Sequence, residues 1–205
     1  MLGADFDSII EDARRGSRPA LGSIYRDLFP GVLAYLRARR AAEPEDLASD
    51  VFVDVAGGLE RFSGDEHQFR GWVFTIARRR AIDAGRKASR RATSPVPNET
   101  LADIASSDDP AAEAIARLGT EEAVALVDRL PSRYAEVVRL RVIAGLGVEE
   151  TATALGKRPG TVRVLQHRAL RKLARMIEHE KPESPDHEGP DHEGPDHGGG
   201  GVTPW

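Results

Sequence analysis

Between Arg70 and Arg91 eight basic residues stand against one acid, Asp83, and between Lys157 and Arg175 seven stand against none. The whole chain nevertheless carries a formal charge of −4 over 205 residues. Its acids collect elsewhere: eight between Glu43 and Glu66 against the single base Arg61, five between 93 and 116, and six between 182 and 205. Two concentrated cationic stripes on an acidic protein fit contact with a polyanion at two places, the alternative being two solvated helix faces. Covalent chemistry finds less support. No nucleophile–base pair, phosphate-binding glycine loop or metal-ligand set is present, so no catalytic residue, metal or cofactor is expected. Glu121 and Glu122, like Glu149 and Glu150, are neighbours in sequence and point different ways on a helix. The absence of Cys removes disulfides and thiolate zinc sites. His67 reads as a loop polar residue.

The elements that must position these stripes are helical, and the low aromatic content (5%) with 30% charged residues suits small helical units. Phe6, Ile9, Ile10 and Ala13 keep helical spacing, and that helix fails near Gly16 to Pro19. Leu21, Ile24, Tyr25 and Leu28 lead to Pro30, where a new helix is expected to begin, with Val32, Leu33 and Leu36 on one side. Pro44 is placed to open another, in which Leu47, Val51, Val55 and Leu59 recur every four residues opposite Glu45, Asp46, Ser49, Asp50 and Asp54. After a polar stretch, Ser63 to Gln68, the residues Phe69, Trp72, Val73 and Ile76 define a helix that runs into the first cationic stripe. No stretch alternates long enough to be a strand.

The second stripe lies in the most specific pattern. A helix beginning at Leu130-Pro131 ends at Gly145, Gly147 caps a short helix from Val148 to Leu155, Gly156 supplies a turn, and Pro159 stands at a first helical position. Short helix, glycine turn and basic amphipathic helix make a helix-turn-helix, although an αα-hairpin with a solvated basic side has the same outline. At about 100° per residue, Val162, Leu165, Ala169 and Leu173 share one arc. Arg158, Pro159, Thr161, Arg163, Val164 and His167 are then expected at the groove, and Arg168, Arg171 and Arg175 at the DNA backbone.

Together the two halves resemble the bacterial RNA polymerase sigma factors of the extracytoplasmic-function group, over about residues 5 to 177. Pro44-Glu45-Asp46-Leu47-Ala48-Ser49-Asp50-Val51-Phe52 with Leu59-Glu60-Arg61-Phe62 resembles the helix that holds the polymerase. Phe69 to Asp83 resembles the element that melts and reads the −10 promoter sequence. Leu130-Pro131-Ser132-Arg133, Gly156, Gly160-Thr161-Val162-Arg163 and His167 to Leu173 resemble the −35 reader. The chain departs from the family pattern in places. Ser49-Asp50 replaces a common Gln-Glu, Ala56 a Trp, Arg79 an Asn, Thr151 an Ile, and Val164-Leu165-Gln166 a frequent Ser-Arg-Leu.

The resemblance implies an all-α protein of two small domains: region 2 in residues 1–92 and region 4 in 114–178, joined by an acidic linker, 93–113, and followed by a tail, 179–205. It implies a transcription-initiation factor that binds core RNA polymerase (beta-prime clamp and beta flap) and promoter DNA, and an anti-sigma factor as a further partner. Glu45, Asp46, Leu47, Ser49, Asp50, Phe52 and Asp54 would meet the polymerase. Phe62, Ser63, Gly64, Asp65, His67, Trp72, Arg78, Arg79, Arg80, Arg86 and Lys87 would meet the −10 element, with Trp72 mainly core. The alternative is a helix-turn-helix regulator independent of polymerase. The N-terminus lacks the order of a signal peptide and no apolar run approaches the roughly 20 residues of a membrane span, so a cytoplasmic protein, without membrane insertion or small-molecule substrate, is expected. The tail repeats Pro-Asp-His-Glu-Gly, with His187, His192 and His197, has no apolar content to bury, and is expected to be disordered.

Overall fold

A computed structural model describes residues 2–91 and 120–180; the expected linker and nearly all of the tail lie outside them. The first half is built from α1 (Phe6–Arg14), α2 (Arg18–Ala38), α3 (Pro44–Gly58), a 3-10 turn (Leu59–Arg61) and α4 (Glu66–Arg91). The second half holds α5 (Thr120–Asp128), α6 (Ser132–Val138) with a π-helical continuation (Arg139–Ile143), α7 (Val148–Leu155) and α8 (Pro159–Glu180). Among the described residues there is no strand.

Start signals act where expected in most places. Ser17 caps α2 by accepting from the Ala20 amide, and Pro44 sits in the first turn of α3. Pro30 does not begin a helix, contrary to the sequence expectation: α2 runs through it from Arg18 to Ala38. A proline inside a helix costs about 3 kcal/mol. Here its ring lies on the exposed side, while Ile24, Leu28, Val32, Tyr35 and Leu36 along the opposite side are buried to within 2% exposure. Five such side chains at roughly 1.5–3 kcal/mol each outweigh the missing bond.

Two apolar clusters result. The first joins α1–α4 around Phe69, Val73, Phe74 and Ala77; the second joins α5–α8 around Val127, Val137, Val162 and Leu173. They are not separate bodies. Leu140, Ala144, Leu146 and Ala154 from the second half belong to the first cluster. Helices α4 and α7 form the most extensive packing of any two elements. That approach needs Gly71: a Cβ there would stand 2.6 Å from the Thr153 Cβ and 2.9 Å from the Glu150 carbonyl oxygen. Gly71→Ala is therefore expected to push α4 and α7 apart at a cost of about 1–3 kcal/mol. Small-angle scattering checks this as a larger radius of gyration, with helix content unchanged.

Candidate functional site

On α3 the apolar positions Ala48, Val51 and Val55 face the core, which leaves Asp46, Ser49, Asp50 and Val53 exposed along one line. Val53 is 69% exposed, one of two large apolar side chains so placed among the described residues. The other, Tyr25, belongs to an aromatic patch beside it: Tyr25 stacks on Phe29 at 4.6 Å and tilts against Phe52 at 4.9 Å. Leu47 and Phe52 are half-buried against the first cluster.

The acids expected at this face divide into two groups. Among the described residues Asp46 makes no ion pair or side-chain hydrogen bond, and Ser49 donates its hydroxyl to the Glu45 carbonyl oxygen at 3.0 Å. Glu45 accepts from Arg37 at 2.6 Å, which holds its carboxyl below the usual range. Asp54 receives two bonds of 2.6 Å from Arg80 on α4, and Asp50 stands 3.6 Å from the same guanidinium. Hydrogen bonding by Arg80 holds the Asp54 carboxyl down and pushes the arginine up. Because the folded value lies below the unfolded one, this stabilisation is present above the ordinary carboxylate range and is lost as pH falls through the folded value. Asp54→Asn is expected to flatten the acid limb of a stability–pH curve below about pH 4 while changing little near neutrality beyond the loss of one surface pair.

Between α3, the 3-10 turn and α4 lies a groove of about 1270 Å³ whose lining includes Phe62, Ser63, Trp72, Arg79 and Lys87. Phe62 and Trp72 stand 5.3 Å apart, and both contact Phe69, which is fully buried. Trp72 is half-buried and has one edge over Gly58, where a Cβ would come within 2.7 Å of the indole. It is thus both core and groove wall. Arg14 pins the turn from behind by donating to the carbonyl oxygens of Leu59 and Phe62. Ser63, Gly64 and Asp65 form the exposed rim, and Asp65 caps α4 by accepting from the Gln68 amide at 2.8 Å.

The cationic stripe of α4 splits in the same manner. Arg79, 85% exposed, lies 4.0 Å from Asp83, and Arg86 3.6 Å from it, while Lys87 is exposed. Arg80 faces α3. Arg78 turns to the second half, and so does His67, whose Nδ1 is 3.1 Å from Glu150. Sequence reasoning placed His67 in a loop; it lies in the first turn of α4, which begins at Glu66 under the Asp65 cap.

The helix-turn-helix forms as read. Gly156 is left-handed at φ 62°, and the Lys157 amide donates back to the Ala152 carbonyl oxygen at 2.9 Å, which ends α7. Glu150 accepts from the Gly147 amide at 2.5 Å and closes the other end. On α8, Val162, Leu165, Ala169 and Leu173 are buried and Arg163, Arg171 and Arg175 exposed, as is Arg158 just before its first turn. Pro159, Thr161, Val164, His167 and Arg168 are half-buried. Arg163 is 3.3 Å from Glu149. A residue without a sequence signal enters here: Arg141 donates to the Gln166 side chain at 2.9 Å and to the Leu146 carbonyl oxygen, with burial pushing its guanidinium down. It ties the π-helical segment to the middle of α8.

Comparison with known proteins agrees with this geometry. The family model "Sigma-70 region 2" matches residues 24–91, and "Sigma-70, region 4" matches 120–173. The ECF RNA polymerase sigma factor SigD of Mycobacterium tuberculosis is 34% identical over 180 residues, covering 84% of each chain. ShbA of Streptomyces griseus, another such factor, is 34% identical over 83% of this chain and 94% of its own. Among solved structures, CnrH in complex with the cytosolic domain of CnrY shares the fold at TM-score 0.62 and 20% identity, covering 84% of this chain and 96% of that one. RpoE from Bartonella quintana, in complex with the anti-sigma factor NepR, does so at 0.58 and 19%, covering 78% and 98%. With both region models matched in order and relatives aligned over most of their length, the chain belongs to the ECF RNA polymerase sigma factors, the non-catalytic initiation factors of bacterial transcription.

Proposed function

We propose that residues 1–92 dock core RNA polymerase through the exposed line of α3 and read the −10 element in the groove beside it, while residues 114–178 read the −35 element with α8. The observation that carries this is a groove in the first half whose two walls differ in chemistry. The α3 wall is acidic with an apolar centre at Val53 and continues onto the exposed line of that helix, suited to a basic clamp helix, while the opposite wall carries Phe62, Trp72, Arg79 and Lys87. Opening a duplex needs apolar surfaces that replace stacking and cations along the freed strand. Phe62, Trp72, Arg79 and Lys87 supply both, with Ser63 and Gly64 at the rim, and Arg78, Arg86 and His67 along the same helix. On α8, Arg158, Thr161, Arg163, Val164 and His167 face the groove, and Arg168, Arg171 and Arg175 the backbone; Arg suits guanine and phosphate alike.

The reading extends to partners and place. The polymerase contacts are the beta-prime clamp for α3 and the beta flap for the second half, and an anti-sigma factor restrains the free protein, a reading supported by the complex of RpoE with the anti-sigma factor NepR. The chain performs no covalent step, needs no cofactor or metal, and works in the cytoplasm. None of its described helices is long and apolar enough to cross a membrane. The test is reconstitution: the purified chain co-elutes with core polymerase and directs run-off transcripts with defined 5′ ends from a pool of genomic fragments. Failure to co-elute, or transcripts without defined starts, rejects the reading.

A further inference from the structure

We infer that Tyr35, Arg39 and Arg78 form a phosphate-binding pocket on the first half, and that Glu136 of the second half plugs it as an internal substitute for a DNA backbone phosphate. The pocket is already occupied by an oxyanion. One carboxylate oxygen of Glu136 accepts from the Tyr35 hydroxyl at 2.6 Å and lies 3.2 Å from the Arg78 Nε; the other accepts from Arg39. Tyr35 is fully buried and Glu136 is 7% exposed; Tyr35 comes from α2, Arg39 from its C-terminal cap and Arg78 from α4. Burial and the neighbouring carboxylate push the phenol up, so it stays an O–H donor at working pH.

Charge accounting singles this site out. The other half-buried arginines of the first half that make ion pairs have a carboxylate on their own half: Arg70 with Asp27, besides Glu150 of the second half, and Arg80 with Asp54. Among the described residues Arg39 and Arg78 have ion-pair partners only in Glu136. The remaining cation at the plug, Arg139, comes from the second half and is balanced by Asp128 at 2.5 Å, as is Arg40 at 2.6 Å. When the halves part, the exposed Arg40 loses its partner to solvent, and at the pocket itself the guanidiniums of Arg39 and Arg78 and a buried hydroxyl are left with no acid of their own. That set suits a phosphate, whose oxygens accept several charge-assisted bonds at once. Arg78 is next to Arg79 in sequence but on a different face of α4, so the pocket flanks the surface assigned to the freed strand.

The inference rests on the proposed role in reading promoter DNA, and it makes the closed arrangement and DNA competitors for one pocket. The test uses the full chain and a 5′-fluorescein, mixed-sequence single-stranded DNA of about 20 nucleotides, with anisotropy read from low to moderate salt. Because the chain has no Cys, dyes placed at Glu60→Cys and Glu178→Cys report separation of the halves. Glu136→Gln is expected to open the halves and tighten DNA binding at least threefold beyond Glu122→Gln, which removes the same charge from an exposed position. Arg39→Gln also opens the halves but is expected to weaken DNA binding at least threefold and to lower the slope of log K against log salt by about 0.7, the share of one single-strand phosphate. Arg78→Gln repeats that pattern should Arg39→Gln fold poorly.

A merely structural clasp would make the arginine variants behave like Glu136→Gln, and that result overturns the pocket. So does an Arg39-dependent effect confined to polyglutamate, which would assign the site to an acidic protein. If the wild-type chain shows neither salt-dependent DNA binding nor run-off activity, both readings fall. If it binds and initiates while Arg39→Gln leaves the salt slope unchanged, the pocket alone falls.

Discussion

Val53→Asp is expected to abolish co-elution with core polymerase, weakening the complex at least about 100-fold while leaving the fold intact. A solitary apolar side chain at the centre of a charged line has the position of an interface anchor, and truncation of a valine there accounts for about 1 kcal/mol of the loss. The replacement adds the burial of a carboxylate in the contact. Because Val53 is 69% exposed, nothing in the folded monomer is lost. Asp46→Arg acts on the same contact through charge: a reversed rim charge slows association and changes its salt dependence. The pair separates the two contributions in one titration against salt. A Val53→Asp protein that still joins polymerase with wild-type affinity would move the docking surface off α3.

Leu165→Arg is the second large effect, and its direction is unexpected for a change toward the family's common sequence. The family frequently has Ser-Arg-Leu where this chain has Val164-Leu165-Gln166. Here Leu165 is 2% exposed within the second cluster, beside Val162 and Ala169, and Gln166 is tied to Arg141. Arginine at 165 either buries a guanidinium or turns α8 so that Gln166 faces the cluster, which breaks the Arg141 bond. Either route is expected to destabilise the second half by about 2–4 kcal/mol, with some relief where the long side chain reaches solvent. Denaturant unfolding followed at a probe on α8 should show the loss. An unchanged midpoint would mean that α8 already tolerates the family register.

Local patterns were legible in the sequence where short-range chemistry decides them. Gly147, Gly156 and Pro159 fix the ends of α7 and α8 through capping and a left-handed turn, interactions that span at most a few residues. The four-residue recurrence from Leu47 to Leu59 likewise gave the buried side of α3. Pro30 misled because its local signal, a helix start, lost to burial along five positions of α2 whose partners are distant in sequence. Val53 was missed for a related reason: one apolar residue off a regular stagger has no periodic signature, and its meaning comes only from exposure.

Sequence supplies charge but not direction, so it lists Asp54 and Arg80 among the candidate residues without marking that they bind each other across α3 and α4. Glu136 lies 101 residues from Tyr35, and nothing local marks it as anything but one acid among many.

The reach of that bond bears on how such proteins can be recombined. Tyr35 sits in the first-half core and has its acceptor in the second, so the two halves are matched parts rather than interchangeable modules. A chimera that grafts a foreign promoter-reading half onto residues 1–92 inherits a sealed hydroxyl with no acceptor unless the donor brings an acid to the place of Glu136. Orthogonal factors built by shuffling would therefore keep positions 35, 39, 78 and 136 as a single inherited set.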